Sequence, residues 1–196
     1  MSLLVKICGL SEAAHVIAAT EAGADALGFV FAASPRQVTP EHARTISEDV
    51  SSRLKRVAVM LHPSNEEWLR VLKLFSPDVL QTDAEDFDSL DVPMSVECWP
   101  VHREGGSQPA DGTFVYEGRK SGQGETVDWS AAAALAKTGQ MILAGGLAPG
   151  NVAKAIETVQ PFGVDVSSGV EAAPGEKDPD LVREFISAVR AAEKKL

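Results

Sequence analysis

Apolar residues along the chain come in short runs separated by stretches of helical period. Residues 3–8 (LLVKIC), 26–31 (ALGFVF), 56–61 (RVAVML), 78–82 (DVLQT), 94–99 (MSVECW), 113–117 (TFVYE), 140–144 (QMILA) and 163–168 (GVDVSS) read as strands, with turn residues at most of their ends. Helical patterns fall between them. Residues 11–24 open on Ser11 as a cap and stop at Gly23; residues 39–50 open on Thr39 with Pro40 in the first helical position; residues 64–75 open on Ser64. Residues 129–137 and 146–159 follow the same logic, the latter opened by Pro149. The closing pattern, 178–196, is acidic at its start and basic at its end, as the helix dipole favours. Two polar, glycine-rich stretches, 102–112 and 118–126, predict loops, the first standing where a long helix would otherwise be.

Eight strand signals alternating with helical ones predict parallel βαβ units, and eight such units predict a closed (β/α)8 barrel of the α/β class. The 196 residues suit a single domain over 1–196 and lie near the small end for this fold. Loops are therefore expected to be short, with the helix after strand five missing or reduced.

Composition narrows the partners. A net charge of −10 with no basic tract argues against nucleic acid, while a small anionic ligand remains compatible because backbone donors can hold it locally. The two cysteines, Cys8 and Cys98, form neither a disulfide framework nor a metal-ligand spacing. No run approaches a membrane span and the start, MSLLVKICGL, lacks a signal-peptide core, so a cytoplasmic protein with reduced thiols is expected.

A (β/α) barrel carries its chemistry at the carboxyl ends of its strands, which makes those positions informative. AGGLAP follows strand seven and DVSSGVE follows strand eight. Gly145, Gly146, Ser167, Ser168 and Gly169 fall where this fold commonly holds a phosphate, the alternative being that they only turn the chain. Cys8 is the last residue of strand one. It reads either as a small buried hydrophobe or as a functional thiol whose thiolate Lys6, on the same face, would favour. Cys98 reads as core filler. Glu117 ends strand six, as a solvated rim charge or as an acid facing a base from another strand. Arg36 is an ordinary loop cation or a bidentate clamp for a carboxylate. The histidines (His15, His42, His62, His102) read as surface or partly buried groups in helices and loops, not as a metal site, and Trp68 and Trp129 as helix-packing residues.

KICGL, GFVFAASPRQVTP, LAGGLAPGNV and GVDVSSGVE…PGEKD, in this order, resemble the phosphoribosylanthranilate isomerase family from residue 5 to about residue 190. GQGETVDW, 122–129, resembles the family's glycine-rich loop and the FDW that follows it. The resemblance implies an Amadori rearrangement in tryptophan biosynthesis, of N-(5-phosphoribosyl)anthranilate to 1-(2-carboxyphenylamino)-1-deoxyribulose 5-phosphate, without cofactor or metal, by a monomer or homodimer. It further implies Cys8 as general base, Arg36 on the anthranilate carboxylate, Asp165 near the anthranilate, and phosphate held by Gly145–Gly146 and Ser167–Gly169.

Two positions depart from the family pattern. Glu117 stands where the family has an aspartate as general acid, and Gln81-Thr82-Asp83-Ala84 stands where it has QLHG. A glutamate reaches about 1.5 Å further than an aspartate, and Asp83 is expected to bring an added negative charge to the rim. Two other readings are compatible with these departures: a diverged sugar-phosphate isomerase or lyase on the same barrel, and a non-catalytic barrel that binds an anionic metabolite.

Overall fold

The computed structural model describes residues 2–106, 112–118 and 127–195. Residues 122–126 of the segment matched above to the glycine-rich loop lie outside them, as do parts of both predicted loops. Eight parallel strands close a barrel in chain order: β1 (Leu4–Cys8), β2 (Ala26–Val30), β3 (Lys55–Val59), β4 (Val79–Asp83), β5 (Glu97–Arg103), β6 (Thr113–Glu117), β7 (Gln140–Leu143) and β8 (Gly163–Val166). Pairing of β1 with β8, from Leu4 opposite Gly163 to Ile7 opposite Val166, completes the ring. This is the predicted fold class.

The helices are α1 (Ala13–Ala22), α2 (Pro40–Ile46), α3 (Asn65–Phe75), α4 (Trp129–Leu135), α5 (Val152–Val159) and α6 (Pro179–Glu193). Only a 3-10 turn, Ala84–Ser89, follows β4, and no helix stands between β5 and β6 among the described residues. The barrel is thus shortened mainly on one flank.

Two-residue periodicity divides most strands between two apolar clusters. Val5, Ile7, Leu27, Phe29 and Leu80 join the larger cluster with the helices, where Trp68 and Phe75 are buried. Ala26, Val57, Val79, Trp99, Val115 and Ile142 fill the barrel interior. The interior-facing series on β1, β4, β5, β6 and β8 continues upward into Lys6 and Cys8, Gln81 and Asp83, Arg103, Glu117 and Asp165. Alternation thus delivers these strand-borne polar and charged residues to one place.

Several local expectations are corrected. Ser11 does not cap α1: the helix starts after Glu12, and Ser11 Oγ donates to the Gly175 carbonyl at 3.2 Å. Thr39 and Ser64 do cap, each accepting from a backbone N–H in the first turn. Pro149 sits in a turn before α5, which begins at Val152, and β8 stops at Val166, leaving Ser168–Val170 as a 3-10 turn. A hairpin, β9 (Glu171–Ala173) with β10 (Glu176–Lys177), has no counterpart in the predicted elements.

The largest shift is in β5, expected at 94–99 and found at Glu97–Arg103. Pro100 and the polar residues after it disguise the second half of this strand. Proline is tolerated because pairing with β6 starts only at Val101, so the missing N–H falls before that ladder. Trp99 consequently lies inside the barrel, 1% exposed. Cys98 is exposed, not core filler, because no helix among the described residues follows β5 to cover its outer face. His102 is a buried strand residue against the edge of Phe114, and His15 is buried within α1; neither is the surface or partly buried group expected.

Candidate active site

A cavity of about 330 Å³ opens at the carboxyl ends of the strands. Its floor and walls include Cys8 from β1, Gln81 and Asp83 from β4, Arg103 from β5, Glu117 from β6 and Asp165 from β8. Gly145, Gly146, Ser167 and Ser168 line it from the loops after β7 and β8, and Arg36 from the loop after β2. Of the sequence-predicted site residues only Gly169 is outside the lining. It stands behind it: a Cβ there would lie 1.9 Å from the Leu147 carbonyl oxygen, so glycine lets the two loops touch.

Cys8 is buried beside Lys6, whose ammonium bonds Asp165 Oδ2 at 2.8 Å. Room for both side chains comes from Gly28 on β2, where a Cβ would meet Cys8 Sγ at 3.0 Å and Lys6 Cε at 3.1 Å. Burial lowers the Lys6 pKa, but the charges of Asp165 and Cys8 outweigh it and the ammonium is retained. Burial pushes the Cys8 thiol up, against the opposing pull of Lys6. The expectation that Lys6 favours the thiolate is met in direction and overridden in sum. Asp165 Oδ1 is buried and has no hydrogen-bond partner among the described residues; the same holds for Gln81 Oε1. Both side chains line the cavity.

Arg36 is held by a bidentate pair, Nε to Glu171 Oε1 at 2.7 Å and Nη2 to Glu171 Oε2 at 2.8 Å. Glu171 also accepts from Lys177 Nζ at 2.6 Å, and Lys177 donates to the Ser167 carbonyl and hydroxyl oxygens at 3.0 and 3.3 Å. Despite burial, these two cations hold the Glu171 carboxyl below its usual range. On the β7 side, Gly145 and Gly146 take positive φ of 89° and 61°, and Asn151 fixes the loop by donating to the Gly146 carbonyl and accepting from the Ala148 N–H.

Asp83 does not stand at the rim as a bare negative charge. Arg103 Nη2 donates to Asp83 Oδ1 at 2.6 Å and Nη1 to Glu117 Oε1 at 2.5 Å, while His62 Nε2 lies 3.4 Å from Asp83 Oδ2. Sequence reading missed Arg103, Glu171 and Lys177. Arg103 was legible in principle, two and four residues beyond the inward Val101 and Trp99. Glu171 and Lys177 lie within GVDVSSGVE…PGEKD and are only six residues apart, but the partner that gives them a role at the site, Arg36, is 135 positions from Glu171. Among the described residues no group of three or more His, Cys, Asp or Glu side chains is placed to hold a metal ion, and no helix is long and apolar enough to cross a membrane.

A closed parallel barrel whose carboxyl-end cavity gathers a thiol, a carboxylate and glycine-turned loops from separate strands belongs to the class of (β/α)8 enzymes acting on small ligands. Residues 5–188 match the family model described as N-(5′-phosphoribosyl)anthranilate (PRA) isomerase. The chain is 36% identical over 209 residues to the N-(5′-phosphoribosyl)anthranilate isomerase of Listeria monocytogenes serotype 4a (strain HCC23), covering 97% of this chain and all of that one. Phosphoribosyl anthranilate isomerase from Thermus thermophilus superposes with a TM-score of 0.84 at 30% identity, covering 96% of this chain and 99% of that one. A phosphoribosyl anthranilate isomerase in complex with reduced 1-(o-carboxyphenylamino)-1-deoxyribulose 5-phosphate superposes at 0.79, also at 30% identity, with the same coverage. The chain belongs to the N-(5′-phosphoribosyl)anthranilate isomerase family.

Proposed function

We propose that the chain is a cytoplasmic phosphoribosylanthranilate isomerase of tryptophan biosynthesis, working as a monomer or homodimer. The observation that carries the reading is the meeting of Cys8 and Glu117, from opposite sides of the barrel, in one cavity walled by the loops after β7 and β8. Glu117, protonated, gives its proton to the furanose ring oxygen. The ring opens and the anilino nitrogen becomes a Schiff base. Cys8, as thiolate, removes the C2′ proton to give an enolamine, which tautomerises to the ketone. Burial limits the thiolate fraction of Cys8 but makes the thiolate a stronger base, which suits abstraction from carbon.

The phosphate is taken to lie against Gly145, Gly146, Ser167 and Ser168, with Gly169 behind them letting the two loops pack together. Arg36 meets the anthranilate carboxylate with the donors of its planar fork that Glu171 does not use. Asp165 Oδ1, buried and without a partner among the described residues, accepts an N–H or O–H of the ligand.

The test follows loss of the fluorescent anthranilate substrate with wild-type protein beside Cys8→Ala. Wild type turns over, and the variant, folded by circular dichroism, loses about 10²–10⁴-fold in kcat. Absence of turnover by pure, folded wild type overturns the reading.

A further inference from the structure

The edge of the cavity formed by β4, β5 and β6 joins Glu117, the proposed acid, to a chain of further charges that the proposed reaction does not itself require. Arg103 ends β5 between two carboxylates. It opposes Glu117 of β6 in register, while Asp83 of β4 lies opposite Val101, one inward position below Arg103 on the same strand. One guanidinium nitrogen is spent on Asp83 and another on Glu117, at 2.6 and 2.5 Å. Asp83 is itself restrained. Its other oxygen faces His62, whose Nδ1 lies 3.0 Å from Asp86 Oδ1, and Asp86 accepts from Thr82 Oγ1 at 2.5 Å.

A guanidinium is rigid and planar, so anchoring one nitrogen fixes the place of the next. A glutamate side chain has one more rotatable bond than an aspartate and loses more freedom when it is held. A carboxyl at the end of that longer lever needs an external restraint to stay within reach of a ring oxygen.

We propose that Arg103, anchored by Asp83, is the positioning residue for Glu117. Asp83 acts only through Arg103, and Arg103 acts only through the carboxyl group it holds. The proposal rests on the reading of Glu117 as the general acid. It gives the two departures from the family pattern, Glu117 and Asp83, a single structural meaning: they are the two ends of one clamp.

The test measures kcat and KM for N-(5′-phosphoribosyl)anthranilate in Arg103→Met, Arg103→Lys, Asp83→Asn and the double variant Asp83→Asn/Arg103→Met, each checked for folding by circular dichroism. A misplacement of about 1 Å costs on the order of 100-fold, so Arg103→Met is expected to lose about 10- to 100-fold in kcat with KM within about threefold. Arg103→Lys, a point charge that still reaches Glu117, recovers part of the loss and keeps the test alive if the methionine variant does not fold. Asp83→Asn loses less than Arg103→Met, and the double variant is no worse than Arg103→Met alone, because the two residues act in series. Independent, additive losses overturn the proposal. So does an unchanged kcat, and so does a loss confined to KM, which would make Arg103 a substrate-binding cation. An active wild type with indifferent variants removes this proposal alone; an inactive wild type removes it together with the reading on which it rests.

Discussion

On the β8 side of the cavity, Arg36, Glu171, Lys177 and Ser167 form a chain of short bonds whose central members are almost wholly enclosed, the Lys177 side chain being 0% exposed and that of Glu171 5%. Across the cavity Asp83, Arg103, Glu117 and His62 form a chain of similar length from the same side-chain chemistry, yet Arg103 is 25% exposed and His62 60%. The first is tied to the loops proposed to hold the phosphate, the second to the proposed acid. Charges withdrawn from water are costly to separate from their partners, whereas exposed ones are screened and exchange partners at little cost. The enclosed side is suited to holding an unreacting group in a fixed place. The open side is suited to a carboxyl that must exchange a proton with the ring and then with solvent.

The largest effect on this contrast is expected below the enclosed side, at Lys6. Its ammonium is 0% exposed and bonds Asp165 at 2.8 Å. Lys6→Met leaves a buried carboxylate without its cation, a change that typically costs about 3–5 kcal/mol. Urea denaturation of Lys6→Met beside Arg103→Met checks it: the first should lose most of that amount and the second clearly less. Equal losses would erase the distinction between the two sides.

The next effect sharpens the role of the enclosed loops. At Gly169 an alanine Cβ would lie 1.9 Å from the Leu147 oxygen and 2.9 Å from its carbonyl carbon, both backbone atoms without a rotamer to escape into. The loops after β7 and β8 must then part by roughly 1 Å, and displacements of that size cost on the order of 100-fold where donors must converge on a ligand. Gly169→Ala is expected to raise KM by about 10- to 100-fold and to weaken competitive inhibition by inorganic phosphate in parallel, with kcat less affected. Inhibition by phosphate at wild-type strength would detach these loops from the anion.

How much of the two sides was legible in sequence follows the same division. The fold, the rim position of Cys8 and the glycine-turned loops were readable because each depends on short-range pattern: alternation within a strand, a glycine or serine at its end. Strand five was displaced because Pro100 and a polar tail obscured its alternation, and with it went Arg103 and the true burial of Cys98 and His102. Asp83 was read correctly as a rim residue and wrongly as an uncompensated charge. Its partners, Arg103 and His62, come from β5 and from the loop after β3, and no spacing along the chain announces them. The clamp of Glu171 on Arg36, 135 positions apart, is likewise a product of closure. Sequence periodicity places side chains on a face; only the closed ring decides which charges then cancel.

The smallest effect lies at the far end of the open side. His62 has φ of 45°, a left-handed backbone that asparagine also tolerates, so His62→Asn removes the imidazole without adding strain. The bond to Asp86 raises the His62 pKa above its ordinary 6.5 against a small burial penalty, with the charges of Asp86, Asp83 and Glu85 adding to the rise. The folded state therefore binds this proton more tightly than the unfolded one. Its stabilisation is fully present below 6.5 and fades as the pH climbs through the raised folded value. Exposure and screening limit it to about 1 kcal/mol or less. Urea denaturation should find His62→Asn less stable than wild type by up to that amount at about pH 5 and equal to it at about pH 9, with the acid-side difference shrinking in ~1 M salt. A difference that survives both high pH and salt would mean that the His62 end is as enclosed, in energetic terms, as the Glu171 end, and the contrast between the two sides would fail.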